Sequence, residues 1–460
     1  MNLILLLLSL FFGIVFLLKF KKPEYLGTIV LISRLFLALV FLYSGFVKAV
    51  DPLGYTYKIV DYFVAFGFPP MDKLAFVLAI FFSTVEFIIG FGFLSGSFLK
   101  FNSKVAALFM IIFTPLTLIL ALTNPVTDCG CFGDALVISN WQTFWKNIII
   151  DIPLIILLLE RKNIRNILSA KSAFILNLMA ASSIVYISIY SYQHLPILDF
   201  RPFKVGENIA KGMEMPKDAK EDVYKTSFTY KNIDTGELVK FDENNLDEAV
   251  NNEAKWKYVD SQSELIEKGY HPPIHDFTIE NNELGDITKQ VLSDSSYTLI
   301  LISYDLMHAD KDALIQFADL SKKLKTTSIK TLALTAALDD QITEIKKILL
   351  DIDSLTIKAQ ESEKEMIYFY QYEGNILEFN EDEIPDNLDD SYVFVGSEET
   401  ESKTNETRIL AFDFFICDPT TLKTIVRSNP GLVLLKQGTI IQKWHYNDSP
   451  KVEEIKKYEK

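Results

Sequence analysis

Cysteine is nearly absent from this chain. Three occur in 460 residues, Cys129, Cys131 and Cys417, which excludes a disulfide-rich scaffold. A basic excess is missing too: 45 Lys and Arg face 60 Asp and Glu, a formal net charge of −15. An acidic surface repels phosphate backbones, so no nucleic-acid partner is expected. The charge is also unevenly spread. Residues 1–192 hold 14 basic and 9 acidic side chains, and residues 193–460 hold 31 and 51. A slightly basic, apolar part therefore precedes an acidic part with the composition of a soluble domain.

Long apolar runs fill the first part, at about 3–18, 27–47, 74–95, 105–122, 141–159 and 172–192. A helix of about 20 apolar residues crosses roughly 30 Å of hydrocarbon. The expectation is an α-helical membrane bundle of about six helices over residues 1–192, with the lipid bilayer as its first partner. The first run has no basic stretch before it and no small-residue cleavage site after it. Lys19, Lys21 and Lys22 follow, so it reads as a retained helix rather than a signal peptide. Alternate loops hold those three lysines, then Lys100 and Lys104, then Arg161, Lys162, Arg165 and Lys171. The opposite loops hold only Lys48, Lys58 and Lys73. By the positive-inside rule the N-terminus, the 123–140 loop and everything after Tyr192 lie outside. For a Gram-negative source this means a multi-pass inner-membrane protein with its N-terminus and C-terminal domain in the periplasm.

Three charges sit deep in the apolar runs: Arg34, Glu86 and Asp151. Helical rise puts each about 10–14 Å from the inner boundary. Charges at such depth face a partner or a wet cavity. Their equal depth predicts one buried ion cluster, with one acid keeping its proton because two acids face one base. Its role is a clasp for helix packing or a proton relay for redox chemistry, and the clasp is the simpler. Lys146 lies nearer the outer end of its run and can snorkel.

The loop from Asn124 to Asp134 reads Asn-Pro-Val-Thr-Asp-Cys-Gly-Cys-Phe-Gly-Asp. A bridge between Cys129 and Cys131 would lie at the outer surface, where disulfides persist. It closes a small ring for which Gly130 supplies the backbone freedom. Strain in so small a ring makes it easier to reduce than an ordinary structural bridge. That favours a redox pair exchanging electrons with a partner; an inert staple is the alternative. Asp128 and Asp134 flank the pair with no local base to lower a thiol pKa. A closed zinc site does not fit, since no His or third Cys is near, so no metal is expected. Trp141 and Trp145 read as an interfacial aromatic belt.

The segment Arg34 to Pro52, Arg-Leu-Phe-Leu-Ala-Leu-Val-Phe-Leu-Tyr-Ser-Gly-Phe-Val-Lys-Ala-Val-Asp-Pro, together with Glu86 and Cys-Gly-Cys-Phe-Gly, resembles the DoxX/MauE group of small membrane proteins. The resemblance covers roughly residues 27–192. It implies a four-helix core with a redox-associated outer loop, MauE being associated with maturation of methylamine dehydrogenase, a disulfide-rich protein. It names no substrate.

Residues 193–274 read as a small β-containing segment, with a hairpin of Tyr224–Asn232 and Glu237–Phe241 around Asp234-Thr-Gly. From 275 onward strands and helices alternate: Tyr297–Ser303, Asp310–Leu324, Lys330–Thr335, Asp339–Leu350, then Ala411–Ile416 and Pro419–Arg427. Asn429-Pro430 leads into a final hairpin, Gly431–Lys436 and Thr439–Trp444. This order resembles an α/β thioredoxin-like domain over 275–460, with Pro430 as the cis-proline before the last hairpin. Where that fold carries its two active cysteines, this chain reads Ser303-Tyr-Asp-Leu-Met-His-Ala309. With no CxxC, the domain would hold a client rather than react with it. His308 is a polar contact or an acid/base group. Cys417 is a buried free thiol or, beside Pro430, a partner thiol. Residues 352–408 carry acidic stretches and read as an insertion, at least partly flexible.

Two functions from different classes fit. One is a membrane redox-associated protein, a candidate thiol–disulfide oxidoreductase, supporting periplasmic thiol–disulfide chemistry. Electrons would run between Cys129/Cys131 and a quinone or the thiols of a client. The other is a non-enzymatic membrane subunit or scaffold, docking onto a cell-envelope complex through its outer domain.

Overall fold

A computed structural model describes residues 26–460, except 127, 221, 243–244, 253, 268, 361–364, 373–374, 381–392, 401–409 and 460. The first apolar run and Lys19, Lys21 and Lys22 therefore lie outside the described residues.

Six helices open the described chain: α1 Leu26–Val50, α2 Pro52–Ala65, α3 Asp72–Ser95, α4 Leu99–Thr123, α5 Asn140–Leu159 and α6 Ala170–Gln193. All but α2 are long and apolar enough to cross a membrane. Their outward faces carry bare aliphatic side chains such as Leu39, Ile111 and Leu122, a surface that only lipid suits. The chain is a multi-pass membrane protein. Helix α2 was not foreseen. It starts where Pro52 takes the first helical position and the Asp51 carboxylate accepts from the Gly54 N–H at 2.9 Å.

Helices α1 and α3 touch backbone to backbone. A Cβ on Gly45 would lie 2.5 Å from the Phe87 nitrogen, and one on Gly90 would lie 2.4 Å from the Leu42 nitrogen. Small residues allow such approach where lipid supplies no hydrophobic drive between helices. Polar side chains add ties: Asn147 of α5 donates to Thr117 of α4 at 3.1 Å, and Asn177 of α6 donates to Ser97 at 2.7 Å.

The rest of the chain is rich in strands. First come β1 Val223–Asn232, β2 Leu238–Asp242 and β3 Trp256–Glu267, an antiparallel sheet in the order β2-β1-β3. Then follow β4 Glu280–Asn281, β5 Gly285–Asp286, β6 Tyr297–Ser303, α7 Lys311–Leu324, β7 Lys330–Thr335 and α8 Asp339–Gln360. Strands β8 Glu365–Tyr372, β9 Asn375–Asn380 and β10 Val393–Thr400 form a second small sheet, β10-β8-β9, within the expected insertion. The acidic stretches of that insertion lie largely outside the described residues. The chain closes with β11 Asp413–Ile416, α9 Pro419–Ile425, β12 Gly431–Lys436, β13 Thr439–His445 and α10 Val452–Lys456.

The main sheet runs β13-β12-β6-β7-β11-β4-β5. Strand β7 is parallel to both β6 and β11, and β12 is antiparallel to β6 and β13. Strand β6 reads as an unbroken apolar run because both faces are covered. Ile300 and Ile302 face one layer with Phe203, Phe277 and Leu422, while Leu299 and Leu301 face another with Leu314, Phe317 and Ile455.

Residues 199–212 pack with this sheet rather than with β1–β3. Phe203 and Ile209 enter its core, and the N–H groups of Gly206 and Ile209 donate to the carbonyls of Ile440 and Gly438, each at 2.8 Å. Helix α6 runs directly into the domain. His194 meets Asp448 at 2.8 Å, Asn447 donates to the Gln193 carbonyl at 2.7 Å, and Tyr192 packs on Phe76 of α3 with ring centroids 4.6 Å apart.

Candidate functional site

The close approach at Gly45 and Gly90 brings the C-terminal end of α1 against the middle of α3. Lys48, in the last turn of α1, meets Glu86 of α3 at 2.6 Å, with the two side chains 5 % and 4 % exposed. Ser44, one turn earlier, stands 2.6 Å from the other Glu86 oxygen and 2.8 Å from the Cys131 carbonyl. Its single proton serves one acceptor at a time, so the hydroxyl links the buried ion pair to the loop above.

Helix α2 holds the other side of that loop. Tyr62 donates to the Cys129 carbonyl at 2.7 Å, and Lys58 meets Asp128 at 2.8 Å. Burial, then the charges of Asp128 and Asp61, push the Tyr62 hydroxyl up, so it stays a protonated donor. Asp128 in turn accepts from the Gly130 N–H at 2.9 Å. Gly130 has φ +62°, and a Cβ there would lie 2.9 Å from Lys58 Cγ; both facts call for glycine.

Cys129 and Cys131 are joined as a disulfide, their Cα atoms 5.5 Å apart. Beneath it is a cavity of about 60 Å³ between α1, α2, α3, α4 and α5, room for about two waters. Both cysteines line it, with Ser44, Lys48, Glu86 and Lys146 as its polar wall and Phe41, Phe109, Phe113 and Phe132 among its apolar one. A disulfide thus caps a pocket of buried charge inside a membrane bundle.

The three deep charges expected to cluster do not meet. Glu86 pairs with Lys48. Asp151 accepts from Thr114 at 3.1 Å. Arg34 borders a separate cavity with Glu160 and Arg165, toward the other end of α1. Glu86 meets Ser44 and Lys48, ten to fourteen residues along α1 from Arg34 and so about 15–21 Å away along the axis. Depth counted from the ends of the apolar runs did not put the charges at one level. The partner that Glu86 does have, Lys48, is one residue beyond the apolar run and was read as a loop residue.

Against the cysteine-loop end of the bundle lies Arg427, just after α9. Its Nε stands 3.0 and 2.9 Å from the two Asp51 oxygens, and a terminal nitrogen lies 2.9 Å from Asp134. Burial works against the ionised form of Asp51, but Arg427 outweighs it and holds that carboxyl below its ordinary value. At Asp134 burial wins over Arg427, and the carboxyl is raised. Three residues on, the Asn429–Pro430 peptide is cis. Asn429 donates to the Asp305 carbonyl at 2.7 Å, and Tyr304 packs on Tyr57 of α2 with ring centroids 6.4 Å apart. The sheet therefore presents its Ser303–His308 and Pro430 end to the membrane bundle, over the cysteine loop. His308 itself points away, with its side chain 84 % exposed and Nδ1 3.0 Å from Asp305.

Cys417 is placed where it cannot serve as a partner thiol. It is 2 % exposed in the apolar layer with Phe277 and Leu422, and burial pushes its thiol up to about 11. Strand β11 aims it into the core instead of toward Pro430. Native protein at about pH 8 should label with a maleimide at under about a tenth of the rate of unfolded protein. Mass spectrometry checks this, and fast native labelling would put the thiol at the surface.

Sequence reasoning missed Ser44, Lys48, Tyr62 and Arg427. Charge content alone marked Lys48, and only the register of α1 could have turned it inward.

Residues 26–160 match the family model described as methylamine utilisation protein MauE. The match takes in α1 to α5, and with them the disulfide, the Lys48–Glu86 pair and Lys146. It covers under a third of the chain, leaving α6 and the strand-rich region outside, Arg427 included. The membrane region is MauE-like. No curated protein and no solved structure matches this chain.

Proposed function

We propose that this protein is a thiol–disulfide redox module of the inner membrane, its cysteine loop and strand-rich domain facing the periplasm. One observation carries the reading: the Cys129–Cys131 bridge closes a buried cavity that holds an ion pair and a second lysine. An inert staple has no need of such a cavity, whose buried charges are costly. A client dithiol would reduce the bridge and leave as a disulfide. The pair so reduced would pass two electrons inward to an acceptor of the quinone class, which takes up two protons from the pair and from solvent. The aromatic wall and nearby ammonium groups suit a quinone ring; the present volume admits one only if Phe109 and Phe113 give way.

The strand-rich region supports a thioredoxin-like reading. Strands β6 and β7 are parallel around α7, β12 and β13 return antiparallel on the other side of β6, and the cis Asn429–Pro430 bond precedes β12. Without a dithiol of its own, this domain would present a client to the loop. The interdomain contact at Arg427 favours a second reading, a scaffold whose outer domain docks onto an envelope complex.

Titration against dithiol buffers in lipid nanodiscs, read by an alkylating mass tag, separates the two. Under the redox reading, the pair opens and closes reversibly while the protein stays folded. A bridge that yields only on unfolding is a staple, and the scaffold reading then stands.

A further inference from the structure

We propose that Lys146 is the counter-ion for a thiolate formed inside the cavity when the disulfide opens, Cys131 being the sulfur that a client attacks. The inference rests on the redox reading and gives Lys146 a defined step in it.

Lys146 is six residues into α5, about 9 Å below the helix start. A lysine at that depth reaches back to water or finds a partner. Here Nζ lies 4.7 Å from the Phe132 ring centroid and lines the cavity under the bridge. The groups facing it are Lys48 from α1, Glu86 from α3, Tyr55 and Tyr62 from α2, and the two cysteines. Glu86 is already held by Lys48. Asp151, on α5 itself, is bonded to Thr114 and does not line the cavity, and Asp128 is paired with Lys58. With the bridge closed, the cavity wall holds two lysines and one carboxylate. Opening the bridge supplies the missing negative charge.

Exposure decides which sulfur is attacked. Cys129 is 6 % exposed, whereas Cys131 is only half-buried. A client thiol loses its proton to solvent and attacks Cys131 Sγ. The client–Cys131 bond forms, the Cys129–Cys131 bond breaks, and the electron pair stays on Cys129 as a thiolate beside the ammonium groups. A nearby cation favours that ionised form. The client's second thiol then displaces Cys131, which takes the proton, and the client leaves as a disulfide.

The test is alkylation of the reduced pair by iodoacetamide across about pH 5–9 in nanodiscs, resolved by cysteine. Wild-type protein should show a Cys129 midpoint below the ordinary thiol value of about 8.5. Lys146→Met should raise that midpoint by about one pH unit or more, and Lys146→Arg should keep it low. A wild-type midpoint at or above the ordinary value overturns the proposal without any variant, as does a shared midpoint in wild type and Lys146→Met. If the bridge cannot be reopened reversibly, the redox reading itself fails, a result the titration reports before alkylation begins.

Discussion

Replacing Arg427 with Ala should release the strand-rich region from the membrane bundle. The guanidinium, 6 % exposed, is bonded to Asp51 and Asp134, so its loss leaves the largely buried Asp51 without its bonded cation. Removing one partner from a buried pair costs about 3–5 kcal/mol, far more than a surface contact contributes. Asp51 also caps α2, and α2 holds the cysteine loop through Lys58 and Tyr62. The disturbance should therefore reach the disulfide. Limited proteolysis in the chain after α6, and hydrogen exchange across Lys423–Gly431, should both rise sharply. Pairing Arg427→Ala with Asp51→Asn should cost less than the sum of the two, by about 0.5–3 kcal/mol, because one interaction is removed twice. Simple additivity would mean that this contact does not hold the domains together.

The second large effect is expected at Glu86. Glu86→Gln keeps the shape and takes away the charge that Lys48 needs. An uncompensated ammonium, 5 % exposed inside the bundle, should destabilise it by about 3–5 kcal/mol. Combining Glu86→Gln with Lys48→Met should recover most of that loss, since two neutral side chains avoid the desolvation of either ion. Thermal unfolding in nanodiscs reads both variants. A Glu86→Gln protein as stable as wild type would remove the clasp role, and unchanged turnover would remove any relay role with it.

Much of the architecture was legible in residue order. The five described spans fall within a few residues of the apolar runs, because hydrocarbon thickness fixes helix length and leaves little freedom. The main strands were equally plain, since β6, β7 and β12 are apolar runs bounded by charge. Helix α2 was hidden because Gly54, Thr56, Lys58 and Asp61 interrupt any apolar run, although its buried residues Pro52, Tyr55, Thr56 and Ile59 stand at helical spacing. The site was less legible. Spacing alone brought Cys129 and Cys131 together, and Gly130 between them agreed. Their surroundings depend on how α1 and α3 turn about their axes, and that is set by Gly45 and Gly90, which no hydropathy pattern distinguishes from other glycines. Arg427 could not be found from order at all, because it acts on Asp51, 376 positions earlier.

The junction at α6 has a mechanical consequence. The membrane helix does not end in a slack tether: Gln193 and His194 are fastened to Asn447 and Asp448, and Tyr192 leans on Phe76 at the foot of the helix that carries Glu86. A tilt of the strand-rich region would act on α6 as a lever acts on its pivot. The load would arrive at α3, the helix that carries Glu86, so that the strand-rich region and the buried charges are coupled through one rigid connection.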